Sequence, residues 1–156
     1  MKKKTLLFSL LAMFALVCAG GWYLLHQNQA QTVKAEARKT YIQSSRPTIF
    51  FHGWGSSSRA ERHMANAAKK AGVTQTIIEA KVAKDGTVTL KGTIPKDAVN
   101  PIVLVNFDNN RGASTQDQGN YAYAVVKALQ DTYGITEMNM VAHSYGNMAI
   151  VYYMLQ

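Results

Sequence analysis

The sequence predicts an α/β fold in which a mostly parallel sheet is flanked by helices. Apolar stretches of strand length alternate with helical stretches along residues 46–156. This alternation places helices on the faces of the sheet, because parallel strands need long crossover connections. The predicted strands are 48–51, 76–82, 87–90, 102–107 and 138–142, and the predicted helices are 58–71, 115–133 and 145–155.

Turn and cap patterns support the boundaries of these elements. Lys-Asp-Gly at 84–86 lies between two strand-like stretches and predicts a small hairpin. Residues 58–61 and 115–118 have capping-box spacing, in which a hydroxyl, and an acid or amide three residues later, satisfy free helix donors. The long helix is predicted to pack on the sheet through one apolar face, formed by Tyr121, Val125, Ala128 and Leu129.

The first 45 residues are predicted to lie outside this fold. Three lysines, Lys2 to Lys4, precede an uncharged stretch of 21 residues over 5–25, which is long enough to cross a bilayer as a helix. Positive charge before such a stretch keeps the amino end in the cytoplasm, so the rest of the chain is expected outside. We predict a single-pass transmembrane helix over 1–25, a polar tether over 26–45 and a folded domain over 46–156.

Cleavage of the leader is the alternative to an anchor. Small residues at Ala19 and Ala30 are compatible with cleavage, which would give a secreted protein. The apolar stretch exceeds the about 7 to 15 residues of a signal peptide and ends with Trp22 and Tyr23, which favours the anchor. Cys18 is the single cysteine and lies inside this stretch, so an intramolecular disulfide is excluded.

The charge balance argues against a nucleic-acid partner. The net charge is +8, and without the three leader lysines it is +5, from 14 basic and 9 acidic residues. No interleaving of basic and aromatic residues accompanies this excess, and no nucleic-acid motif does. A basic excess on an exported domain instead favours proximity to an anionic surface. The sequence contains no pattern for a metal or organic cofactor, and it leaves the oligomeric state open.

A serine between small residues is the most informative functional pattern. Residues 138–142 are typical of a buried strand, Ser144 follows, and a helix is predicted from 145. A nucleophile on a strained strand-to-helix turn needs little or no side chain two positions before and after it, and Ala142 and Gly146 satisfy this. We predict that Ser144 is the catalytic nucleophile. The alternative is that Ser144 only caps the following helix.

A second pattern lies about ninety residues upstream, where the first predicted strand ends in His52-Gly53-Trp54-Gly55. Acyl transfer needs hydrogen-bond donors aimed at the developing oxyanion. In an α/β-hydrolase, which the serine pattern resembles, one donor follows the nucleophile and another comes from a loop after an earlier strand. We therefore predict an oxyanion hole formed by the backbone N–H groups of Trp54 and Tyr145. His52 is predicted to be structural, because the base in this arrangement comes after the nucleophile in sequence.

These motifs, in this order, resemble those of an α/β-hydrolase. The narrower resemblance is to the first half of a poorly characterised bacterial family of membrane-bound, lipase-like cell-surface hydrolases, a domain of unknown function. Its landmarks are Pro-Thr-Ile-Phe-Phe-His-Gly at 47–53, Lys-Asp-Gly at 84–86 and Asn-Pro-Ile at 100–102. The resemblance says little about the substrate. With the motifs and the amino-terminal segment, we predict a serine hydrolase that acts on a small-molecule or lipid ester at the outer face of the membrane.

The catalytic triad is not complete in this sequence. In an α/β-hydrolase the acid and then the histidine follow the serine, yet the twelve residues after Ser144 contain neither. All four histidines, at 26, 52, 63 and 143, precede the serine. We therefore expect an incomplete fold, with the acid and the histidine beyond residue 156. The alternative function is a truncated, catalytically inert binding or structural module at the cell surface.

Residues near the predicted strand ends are candidate ligand contacts. Asp108 follows the strand over 102–107, at the end where open α/β sheets bind ligands, although a polar loop is the commoner meaning of such a residue. Trp54, Tyr145 and Met148 suggest an apolar pocket for an acyl group.

Overall fold

The computed structural model describes the backbone of residues 2–156 and the side chains of residues 12–156. It contains four helices and five strands over the described chain. The helices are α1 (Lys2–Thr40), α2 (Arg59–Lys70), α3 (Thr115–Tyr133) and α4 (Gly146–Met154). The strands are β1 (Thr48–Phe51), β2 (Ile77–Val82), β3 (Val88–Lys91), β4 (Ile102–Phe107) and β5 (Asn139–Ala142).

The five strands form one mostly parallel sheet in the order β3-β2-β4-β1-β5. β1 pairs in parallel with β4 and with β5, and β2 pairs in parallel with β4. Only β3 is antiparallel, because the turn containing Gly86 (φ 88°) returns the chain directly beside β2. The predicted α/β class and the predicted hairpin are confirmed. β5 lies at the edge of the sheet, and its outer edge has no strand partner in the described chain.

The central strand β4 divides the core into two layers. Alternate side chains of a strand point to opposite faces. Val103, Val105 and Phe107 therefore join the larger cluster under α3 and α4, whereas Ile102 and Leu104 join a smaller cluster under α2. All five are at least 94% buried, as expected for a strand covered on both faces. Each such side chain stabilises the fold by about 1.5–3 kcal/mol.

The two predicted capping boxes have different outcomes. The cap of α3 is Ser114 rather than Thr115, and its hydroxyl and the Asp117 carboxylate form a reciprocal box. At α2 the predicted box is wrong. The Ser58 hydroxyl donates a hydrogen bond to Glu79 on β2 at 2.7 Å instead of capping the helix, and Glu61, in the first turn of α2, is buried.

The predicted tether over 26–45 is largely helical, because α1 continues to Thr40. Residues 26–40 contain no glycine or proline and are rich in good helix formers such as Gln, Ala, Lys and Arg. The end of this helix also contacts the domain. Ala37 is 97% buried, and a Cβ atom on Gly72 would lie only 2.9 Å from the carbonyl oxygen of Val33.

The predicted transmembrane segment over 5–25 lies partly outside the residues whose side chains are described. Within residues 12–156, no helix is both long enough and apolar enough to span a membrane.

Candidate active site

Ser144 lies on a strained turn between β5 and α4, as the sequence pattern predicts. Its φ angle is 52°, in the left-handed region, which costs a residue other than glycine about 1–3 kcal/mol and persists only where the surroundings enforce it. The N-cap position of α4 is Tyr145, and no side chain caps this helix. Ser144 is therefore not a helix cap, and its side chain is exposed at the carboxyl end of the sheet. Residues 142–146 are referred to below as the nucleophile turn.

Gly146 permits this turn because the chain packs directly on β1. A Cβ atom at residue 146 would lie 2.5 Å from the carbonyl oxygen of Phe51 and 2.7 Å from that of His52. These separations are far inside van der Waals contact with backbone atoms that cannot rotate away. The neighbouring strand thus explains why the residue two positions after the serine must be small.

The loop after β1, residues 52–55, lies against Ser144 and is called the oxyanion loop. A Cβ atom on Gly53 would lie 3.2 Å from the Cβ atom of Ser144. Among the described residues, the backbone N–H groups of Trp54 and Tyr145 donate no hydrogen bond to the protein. The structure therefore brings together the three predicted elements of the site: the serine, the loop and the turn after the serine.

His52 is buried, and both of its ring nitrogens are engaged. Nδ1 lies 2.9 Å from the carbonyl oxygen of Gly53, to which it donates, and Nε2 accepts a hydrogen bond from the backbone N–H of Phe107 at 3.1 Å. Burial lowers the pKa of His52 below 6.5, so the ring is neutral. This arrangement fixes the oxyanion loop to β4 and leaves no ring nitrogen for proton transfer.

The lowered pKa of His52 predicts acid sensitivity. The unfolded chain binds a proton near pH 6.5 while the folded chain does not, so stability is lost as the pH falls below about 6.5. Urea unfolding measured between about pH 7 and pH 5 should therefore show a steeper loss of stability in wild type than in His52→Gln. Equal pH slopes for the two proteins would refute this account of His52.

The other candidate ligand contacts are partly engaged with the protein. The indole N–H of Trp54 donates to the carbonyl oxygen of Arg111 at 3.2 Å, and the Arg111 guanidinium lies 5.4 Å from the indole ring centre. The Tyr145 hydroxyl donates to the carbonyl oxygen of Ala113 at 3.2 Å. Asp108 forms an ion pair with Lys81 at 3.0 Å. Trp54 remains 60% exposed and is available to a ligand.

Glu61 and His143 form a contact that the sequence analysis missed. The Nδ1 atom of His143 lies 2.7 Å from Oε1 of Glu61, whose side chain is only 3% exposed. The capping-box spacing concealed this pair, because an acid three residues after a serine normally serves the helix terminus. The available signal was His143 itself, a titratable side chain directly before the predicted nucleophile.

Comparisons with known proteins agree with the fold and the order of motifs. Residues 35–156 match the family described as "Alpha/beta hydrolase of unknown function (DUF915)". No curated protein is significantly similar to the chain. The crystal structure of the lin2722 gene product from Listeria innocua is similar to the chain with a TM-score of 0.65 and 28% identity over 70% of this chain.

A second solved structure has the same fold. It is a "putative cell surface hydrolase" from Lactobacillus plantarum WCFS1, with a TM-score of 0.59 and 23% identity over 69% of this chain. The chain spans 44% of the length of each solved structure. Because the family match covers most of the described fold and the whole candidate site, the chain belongs to this family of α/β hydrolases of unknown function.

Proposed function

We propose that the protein is a serine hydrolase that cleaves an ester or another acyl substrate. The observation that carries the proposal is Ser144 at φ 52°, exposed on the nucleophile turn and beside the oxyanion loop. In this chemistry the Ser144 hydroxyl attacks the acyl carbonyl as its proton passes to a histidine. The backbone N–H groups of Trp54 and Tyr145 stabilise the oxyanion, and the alcohol leaves with the proton that the histidine returns. Water then attacks the acyl-enzyme, which releases the acid and regenerates the Ser144 hydroxyl.

The histidine and its acid are proposed to come from sequence downstream of residue 156. The triad order in this fold is serine, acid, histidine. The chain spans less than half of the two solved structures, and β5 has a free outer edge within the described fold. Exposed apolar side chains near this edge also support the proposal, because further chain could cover them. They are Val141, Met148, Val151, Met154 and Leu155.

The proposed location is the outer face of the cell. The basic and then uncharged amino terminus is typical of an exported or anchored chain, and the neighbour from Lactobacillus plantarum is named for the cell surface. A substrate that cannot cross the membrane would therefore reach the site in intact cells.

Ester hydrolysis by the protein expressed from its complete gene tests this function and location together. Acyl esters of graded chain length should be hydrolysed by wild type, with at least about a 10³-fold loss in Ser144→Ala. A charged, membrane-impermeant ester should be hydrolysed by intact cells that produce the wild-type protein. Equal rates for wild type and Ser144→Ala would favour an inert surface module, and hydrolysis only after lysis would contradict the location.

A further inference from the structure

Glu61 is a buried carboxylate in the first turn of α2. Its side chain is 3% exposed, and neither carboxylate oxygen accepts a well-aligned hydrogen bond in the described part of the chain. Removing an ionised carboxylate from water costs several kcal/mol, on the order of what a small domain has in total stability. Such a group is retained only where another charge compensates it or where its position matters.

The polar group that meets this carboxylate is the imidazole of His143. Its Nδ1 atom lies 2.7 Å from Oε1 of Glu61, a direct polar contact, although the ring is not aligned for an ordinary hydrogen bond. His52 also lies near Glu61, but burial lowers its pKa and both of its nitrogens are engaged, so it stays neutral. The ionisable group in direct contact with Glu61 is therefore His143.

His143 connects α2 to the two halves of the candidate site. Its Nε2 atom lies 2.9 Å from the place that a Cβ atom would occupy on Gly53, so its ring packs against the oxyanion loop. The same residue is bonded to Ser144, whose backbone is strained. The carbonyl oxygen of His143 also accepts a hydrogen bond from the N–H of Gly146 at 3.0 Å. Contacts that fix the position of the His143 ring therefore also fix the part of the nucleophile turn that precedes Ser144.

We propose that Glu61 and His143 form a positioning pair that fixes the oxyanion loop and the nucleophile turn in their relative positions. The inference rests on the proposed function of Ser144. It assigns neither residue to proton transfer, because Nδ1 of His143 faces Glu61 and Nε2 faces the oxyanion loop. Loss of the pair would let the turn relax and would separate the oxyanion donors from the serine. Interactions realised in the transition state would weaken, whereas substrate binding would not.

The test compares Glu61→Gln and His143→Gln in the protein expressed from its complete gene. Glu61→Gln keeps the shape of the side chain and removes its charge, and His143 is 54% exposed, so its replacement is compatible with folding. Each variant should lose about 10- to 100-fold in kcat, with KM within about twofold of wild type. Because the two residues act as a unit, the double variant should lose no more than the worse single variant.

Glu79→Gln is the matched control. Glu79 is a largely buried carboxylate that contacts Ser58 at 2.7 Å and Arg62 of α2 at 3.1 Å. It lies on β2, outside the candidate site. Its kcat should stay within about twofold of wild type. Thermal unfolding of every variant separates a loss of positioning from a loss of folded protein.

The outcomes distinguish this inference from the proposed function. If wild type hydrolyses no ester faster than Ser144→Ala, the proposed function fails and the inference fails with it. If wild type is active but either Glu61→Gln or His143→Gln retains wild-type kcat, the positioning pair is wrong and the serine hydrolase stands. Additive losses in the double variant would also overturn the pair, as would a lowered melting temperature with unchanged kcat.

Discussion

Gly146→Ala should abolish the nucleophile turn. The added Cβ atom would lie 2.5 Å from the carbonyl oxygen of Phe51, so either α4 must move away from β1 or the turn must open. We expect a loss of about 3 kcal/mol in the free energy of unfolding, near the upper end for an overpacked site. The reaction of Ser144 with an organophosphonate should become at least about 100-fold slower, because a displacement of about 1 Å can cost that much.

Gly134→Ala provides the matched control for this variant. Gly134 ends α3 with φ 68°, and a Cβ atom there would meet nothing within 4 Å. Its replacement should therefore cost about 1 kcal/mol from backbone strain alone and leave the reactivity of Ser144 unchanged. Urea unfolding and labelling rates measure both effects. Equal behaviour of the two alanine variants would contradict the steric account of the turn.

The strand and helix boundaries were largely predictable because the pattern of apolar residues matches the way each element is buried. The strand predicted over 102–107 is β4 to the residue, since a central parallel strand is apolar on both faces. The strained serine was predictable for a different reason. Small residues two positions before and two positions after Ser144 record the steric requirement of the turn in the sequence itself.

Features that depend on contacts between distant elements were not predictable. The Ser58-to-Glu61 spacing favours a capping box, but the Ser58 hydroxyl donates to Glu79 on β2 instead. Glu61 contacts His143, which lies 82 positions further along the chain. Local propensity cannot reveal either partner. The helix through residue 40 was missed because a polar composition was interpreted as a tether, although the same residues favour a helix.

Ser144 should be the residue labelled when the protein expressed from its complete gene reacts with a fluorophosphonate. Only an activated serine reacts rapidly with such a probe, and the nucleophile turn presents this hydroxyl to solvent beside the backbone donors that we propose stabilise a developing oxyanion. Ser144→Ala should remove the label completely. Ser57→Ala is the control, because Ser57 lies in the loop between β1 and α2 and has no place in the proposed chemistry.

Mass spectrometry of the labelled and digested protein is the most direct test of the central claim, that Ser144 is an activated nucleophile on an α/β-hydrolase fold. We expect the phosphonate on the peptide that contains Ser144, in wild type and in Ser57→Ala to the same extent. A phosphonate attached to another residue, or equal labelling of wild type and Ser144→Ala, would contradict the account.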